Sequence, residues 1–218
     1  MEGESSLRER LIDVGVDLVT TEGSASLGLR EIARGAGVSH GAPRRYFPTH
    51  HALLSAIARR GFEDLGARFA AAIADTTSPR AQVQAAALVY VGYALENRGM
   101  FELMFRHDLL DSEQHASGER RLREATLPLF ERIVALIAQC RAEPTTAHRP
   151  GAPNEAAPPP AVTAAALWAN LHGIAQLWAW GSLQLALDAP PPAGAPGSDQ
   201  LDQLVATVLD AHLGPVDS

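Results

Sequence analysis

The stretch LREIARGAGVSHGAPRRYFPTHHALL, residues 29–54, decides how the rest of the chain is read. Leu29, Ile32, Ala33 and Ala36 share one face at helical spacing, which predicts a short helix. Gly35 and Gly37 weaken it, and Gly37 stands where a left-handed C-terminal cap belongs. Val38 is the apolar plug of the turn. Ser39 is placed to cap a second short helix, whose last turn Pro43 should distort toward 3₁₀ geometry by removing an amide donor. That helix offers Ser39, His40, Arg44, Arg45 and Tyr46 as a polar, cationic surface and leaves Ala42 and Phe47 to pack inward. Two short helices joined by a glycine turn form the helix-turn-helix, whose second helix enters a DNA major groove. The plainer alternative is a helical hairpin in an all-α core with a solvated arginine pair.

Outward from this stretch, periodicity is helical everywhere. Upstream, Leu7, Leu11, Val14 and Leu18 mark an amphipathic helix, opened by Ser5 or by a Ser6–Glu9 capping box and ended by Gly23. Downstream, Thr49 caps a long helix to about Ala74 carrying Leu53, Ile57, Phe62, Leu65 and Phe69. Ser78-Pro79 opens the next, which Gly99 should stop. Met100 to Phe105 read as a short apolar helical turn, and Gly118 to Arg141 as a helix kinked at Pro128, with Leu122, Leu127, Phe130, Ile133, Val134 and Ile137 inward. Residues 142–160 are a Pro/Ala-rich linker, Ala161–Leu187 one long apolar helix, 189–198 a second Pro/Gly loop, and Asp199 caps a last amphipathic helix.

Bulk composition is that of a soluble globular chain: 218 residues, 46% apolar and 20% charged. No apolar run approaches the roughly 18–20 residues that cross a bilayer. The acidic start Met1-Glu2-Gly3-Glu4 lacks the features of a signal peptide, and a lone Cys140 excludes an internal disulfide, so a cytoplasmic location is expected. Net charge is −7, which argues superficially against a nucleic-acid partner, but it divides into +1 over residues 1–60 and −8 over residues 61–218. Charge on one face, not the total, governs DNA binding.

The segment from Leu7 to Arg60 resembles the N-terminal domain of the TetR family of bacterial transcriptional repressors. The resemblance is carried by Leu29-Arg30-Glu31-Ile32-Ala33, Ala36-Gly37-Val38-Ser39, Gly41, Tyr46-Phe47-Pro48 and Ala52-Leu53-Leu54. Farther on, Trp168-x-x-x-His172-Gly173 resembles the C-terminal domain class of the same family named for its Trp, His and Gly. The family implies an all-α fold: a three-helix helix-turn-helix head, set at residues 1–51, and a helical effector-binding and dimerisation domain at 52–218. The long helix from Thr49 would then join the two as a lever. Expected DNA contacts are Arg44, Arg45 and Tyr46, then Ser39 and His40, with Arg30 and His50 on phosphates. The chain departs from the family at three places. Gly28 replaces a Thr that caps and touches the backbone, Arg44 replaces an aromatic residue, and His50-His51 stand where a Lys reaches a phosphate, which should weaken DNA affinity and make it more pH-sensitive.

The family also implies an inducer cavity among the middle helices. Phe62, Tyr90, Met100, Phe101, Met104, Phe105, Phe130, Trp168, His172 and Trp178 are its candidate lining, each with plain core as the alternative. The broad apolar faces of the two closing helices suit a four-helix bundle with a second copy. His107, Asp111 and His115 are spaced by four, but the loop-like Ser112–Ser117 between them argues against a metal site, and no cofactor or catalytic motif is found. The expectation is a sequence-specific regulator, a homodimeric repressor released from a palindromic operator in double-stranded DNA by a small hydrophobic effector. Its alternative is a helical dimer that binds an apolar ligand or partner without specific DNA binding.

Overall fold

The structure is a computed structural model that describes residues 2–106, 110, 122–142, 157–188 and 199–215. Every element among the described residues is helical: α1 (Glu2–Glu22), α2 (Leu29–Gly35), α3 (His50–Ile73), α4 (Pro79–Glu96), α5 (Arg98–Met104), α6 (Leu122–Ala142), α7 (Pro160–Ala179), α8 (Ser182–Ala186) and α9 (Asp199–Leu213), with 3₁₀ turns at Ser24–Ser26 and Ala42–Arg45. The all-α class is as the periodicity indicated. The chain forms two compact bodies, one of Met1–Gly66 with Glu96–Leu127, the other of Ala67–Leu95 with Pro128–Ser218.

In the first body α1 begins at Glu2, ahead of the Ser6–Glu9 capping box, and Glu9 instead pairs with Arg60 of α3 and with Arg8 at 3.1 Å. Leu11, Ile12, Val19, Ile32, Leu53 and Ile57 bury the apolar faces of α1, α2 and α3 together. Full burial of such side chains is worth about 1.5–3 kcal/mol each. Small residues set the spacing. A Cβ on Gly15 would sit 2.8 Å from Ile57 Cγ1, and one on Gly35 would sit 2.7 Å from Val14 Cγ1. Gly99 does not stop a helix as expected. It lies inside α5, and a Cβ there would strike the Val19 carbonyl oxygen and come within 3.0 Å of Gly23 Cα, so its role is close approach to the end of α1.

In the second body α7 runs against α9 and buries Ala164, Leu167, Leu171, Ile174, Ala175 and Trp178. The single helix expected over Ala161–Leu187 is broken at Gly181, which takes φ +78°, and α8 starts anew beyond it. Buried Gln184 donates from Nε2 to the Trp178 carbonyl at 2.9 Å, closing the end of α7. On α6, Ile137 is buried and Phe130, Ile133 and Val134 are half-buried, in keeping with the expected inward face, whereas Leu127 is 39% exposed and Leu136 is buried in addition. Pro128 is inside that helix. Arg80, at the start of α4, donates to the Leu209 carbonyl at 3.1 Å and pairs with Asp210, fastening the last turn of α9. Of the expected linker 142–160, residues 143–156 lie outside the described residues, as do loop 189–198, His107, Asp111 and His115.

Candidate DNA interface and effector residues

The interface begins with how α2 ends. The Val38 amide donates to the Ala33 carbonyl at 3.0 Å and the Gly37 amide to the Arg34 carbonyl at 3.1 Å, with Gly37 at φ +67°. This is the Schellman closure, which requires a residue that tolerates a left-handed backbone. The chain is thereby turned sharply into residues 39–46. There the expected second α-helix is replaced by the 3₁₀ turn Ala42–Arg45. Pro43 lacks the amide that an α-helical bond needs, so its effect extends over the whole segment and not only the last turn. Ser39 consequently caps no α-helix; its carbonyl accepts from the Ala42 amide at 3.0 Å.

A four-residue 3₁₀ turn has little internal strength, and burial fixes it from below. Pro43 and Phe47 are buried, Phe47 to 1% exposure, while Ser39, His40, Arg44 and Arg45 are exposed and Tyr46 half-buried. The Arg8 guanidinium lies 5.2 Å from the centre of the Phe47 ring, a cation–π contact from α1. Arg30 is exposed in the first turn of α2, while the Glu31 carboxylate folds back over Gly28 at the positive end of that helix. Thr49 Oγ1 accepts from the Ala52 amide at 3.0 Å and so caps α3 as expected. His50 is turned inward: its Nε2 is 2.6 Å from the Leu27 carbonyl oxygen. Neither the Arg8 stack nor the His50 bond was foreseen, since each joins residues far apart in sequence.

The ten candidate effector residues are distributed over the two bodies. In the first, Phe62 meets Phe105 edge-on at 5.7 Å and Phe105 meets Phe101 at 4.8 Å, while Met100 and Met104 close over Gly61. In the second, Trp168 Nε1 donates to the Tyr90 hydroxyl at 2.8 Å, and that hydroxyl is 2.9 Å from His172 Nδ1. Indole can only donate, so the Tyr90 oxygen accepts from Trp168, and the direction of its bond with His172 Nδ1 follows the tautomer of that ring. Burial pushes the Tyr90 pKa well up, partly offset by the Trp168 hydrogen bond, and burial lowers that of His172. Trp178 is buried in the core of the second body and Phe130 is half-buried. Among the described residues no group of three His, Cys, Asp or Glu side chains could hold a metal, and no helix is long and apolar enough to cross a membrane.

The sequence profile of the tetracyclin repressor-like C-terminal domain matches residues 83–193. A structure from Rhodococcus sp. RHA1, of unknown function, is 30% identical and superposes with a TM-score of 0.67, covering 95% of this chain and 93% of that one. RolR, solved in complex with resorcinol, is 18% identical with a TM-score of 0.62, covering 98% and 90%, and shares the fold. The HTH-type transcriptional regulator Rv1255c of Mycobacterium tuberculosis is 37% identical over 71 residues, 33% of this chain. The match spans 35% of that curated relative's length. The chain belongs to the TetR family of transcriptional regulators, with a helix-turn-helix head and a helical C-terminal domain.

Proposed function

We propose that the protein is a homodimeric repressor that binds a palindromic operator and leaves it when a small hydrophobic molecule binds. The observation that carries the reading is the Arg44–Arg45 pair, exposed on a turn whose flanking Pro43 and Phe47 are buried. Cationic side chains held on a fixed support suit phosphates and guanine edges. Ser39, His40, Tyr46 and Arg30 complete the contact surface. In this reading residues 1–51 are the DNA-binding head and 52–218 the effector and dimerisation domain, the protein works in the cytoplasm, and its task is regulation, not catalysis.

Dimerisation is supported by α7. Val162, Ala166, Ala169, Gly173, Leu177 and Trp180 recur at three- and four-residue spacing on the side opposite its buried face, and Val162, Leu177 and Trp180 are 55%, 40% and 62% exposed. Small residues at the centre of such a stripe admit a second helix closely. An aromatic or aliphatic effector is supported by the Phe, Met and Trp side chains, and RolR, of like fold, has resorcinol as its ligand. For release to follow, the effector must favour the state that misses the operator.

The test is selection of bound sequences from random duplex DNA at physiological salt. An enriched palindrome with half-sites about 34–36 Å apart supports the reading and supplies an assay for effectors. No enrichment by a folded dimer overturns it in favour of a ligand-binding helical dimer without specific DNA contacts. That second reading draws on Gly28, which offers no hydroxyl, and on His50, whose Nε2 is engaged within the head.

A further inference from the structure

The bond between His50 and Leu27 stands at a particular place in the chain. Leu27 lies just before Gly28, the residue at the entrance to α2, and His50 is the first residue of α3. The 23-residue separation therefore encloses all of α2, the Gly37 turn and the 3₁₀ segment with Arg44 and Arg45. Gly28 makes no side-chain cap bond, so locally the start of α2 relies on the Glu31 carboxylate folded back over it. The enclosed 3₁₀ turn is short of internal bonds. A carbonyl oxygen only accepts, so Nε2 must carry a proton, and it does so in the Nε2–H tautomer and in the imidazolium alike.

We propose that His50 is a positioning residue for DNA recognition: its Nε2–H closes the base of the helix-turn-helix by donating to the Leu27 carbonyl, and its contribution to affinity is geometric, with no phosphate contact. The proposal rests on the DNA-binding reading for its effect on affinity, but the bond itself can be observed without DNA.

Two measurements test it. Long-range proton–nitrogen spectra of the free protein should show the neutral His50 ring as the Nε2–H tautomer; an Nδ1–H ring would overturn the proposal whatever the protein does with DNA. Operator binding is then compared for the wild type, His50→Ala and His50→Gln across a salt series. His50→Ala should bind about two- to tenfold more weakly, as befits one lost hydrogen bond, with the salt slope unchanged. His50→Gln, which keeps an N–H donor and carries no charge, should recover affinity to within about twofold. A salt slope lowered by about one in both variants would make His50 a phosphate ligand and overturn the proposal. Unchanged affinity in His50→Ala would overturn it as well. Wild type that enriches no sequence refutes the DNA-binding reading separately and leaves the spectra to decide the bond.

Discussion

Arg44 and Arg45 are neighbours in sequence but not in direction. A 3₁₀ turn advances about 120° per residue, so with Pro43 buried on its inward edge the side chains of Arg44 and Arg45 leave from the two other edges. They are set to meet different points of the DNA. Single Ala substitutions should therefore behave differently: a base-reading arginine costs about 1–3 kcal/mol at one operator position, whereas a phosphate-holding one weakens all sequences evenly and lowers the salt slope by about one. Binding of both variants to an operator and its single-base mutants separates the cases, and loss of the same base preference in both would refute the divergent geometry. Nothing in residues 39–46 except Pro43 announced that geometry, because the sequence pattern there suits an α-turn equally well. At the other end of the chain, the Trp168-x-x-x-His172 spacing was visible, but Tyr90, 82 residues away from His172, was legible only as an apolar aromatic. Burial lowers the His172 pKa, so the unfolded chain takes up a proton on this ring first as pH falls below about 6.5. Stability from this residue is thus present above that pH and lost beneath it. His172→Gln keeps an acceptor for the Tyr90 phenol and does not titrate. Urea denaturation between pH 5 and 8 should show a shallower acid loss in the variant, and identical profiles would mean that folding leaves the proton affinity of His172 unchanged.

At the scale of elements, helical periodicity places most of the helices, and two of the departures turn on glycine. Gly23 and Gly37 end helices at positive φ, as their positions before polar or turn segments suggested. Gly181 breaks the long helix that apolar periodicity alone extends to Leu187, since a left-handed residue leaves no mark on periodicity. Gly99 misleads in the opposite sense: its local pattern reads as a helix end, but it lies within α5, and what selects glycine there is the end of α1 packed against it. That requirement is tertiary and cannot be seen in the local pattern. It makes a sharp prediction. A Cβ on Gly99 meets backbone, the Val19 carbonyl and Gly23 Cα, which cannot rotate away, so Gly99→Ala should cost about 1–3 kcal/mol. Gly92 lies inside α4 with nothing within 4 Å of its would-be Cβ, and Gly92→Ala should gain up to about 1 kcal/mol from helix propensity. Chemical denaturation of the pair decides it: equal signs would mean that space at Gly99 is not what selects glycine.

For the whole molecule, the most consequential surface is one that the isolated chain leaves open. The broad apolar face that the sequence of α7 presents carries the expectation of a partner but not the line of contact. Burial resolves that line, because Ala164, Leu167, Leu171, Ile174, Ala175 and Trp178 face the chain's own core and the stripe from Val162 to Trp180 faces away. Ala169 lies near the middle of the stripe, is exposed, and has a side chain too small to hold the fold together. In a two-fold interface every substitution enters twice, and an unpaired charge there is desolvated on both copies. Ala169→Arg should therefore leave the helical content and unfolding of the chain intact while weakening the dimer by at least about a hundredfold, near 2.7 kcal/mol. Sedimentation equilibrium reads this directly. The operator supplies a second reading, because a monomer engages one half-site and should lose the dependence on half-site spacing that two linked heads impose. A variant that stays dimeric with undiminished affinity would place the interface elsewhere, and the exposed Leu185 of α8 would then be the next position to change.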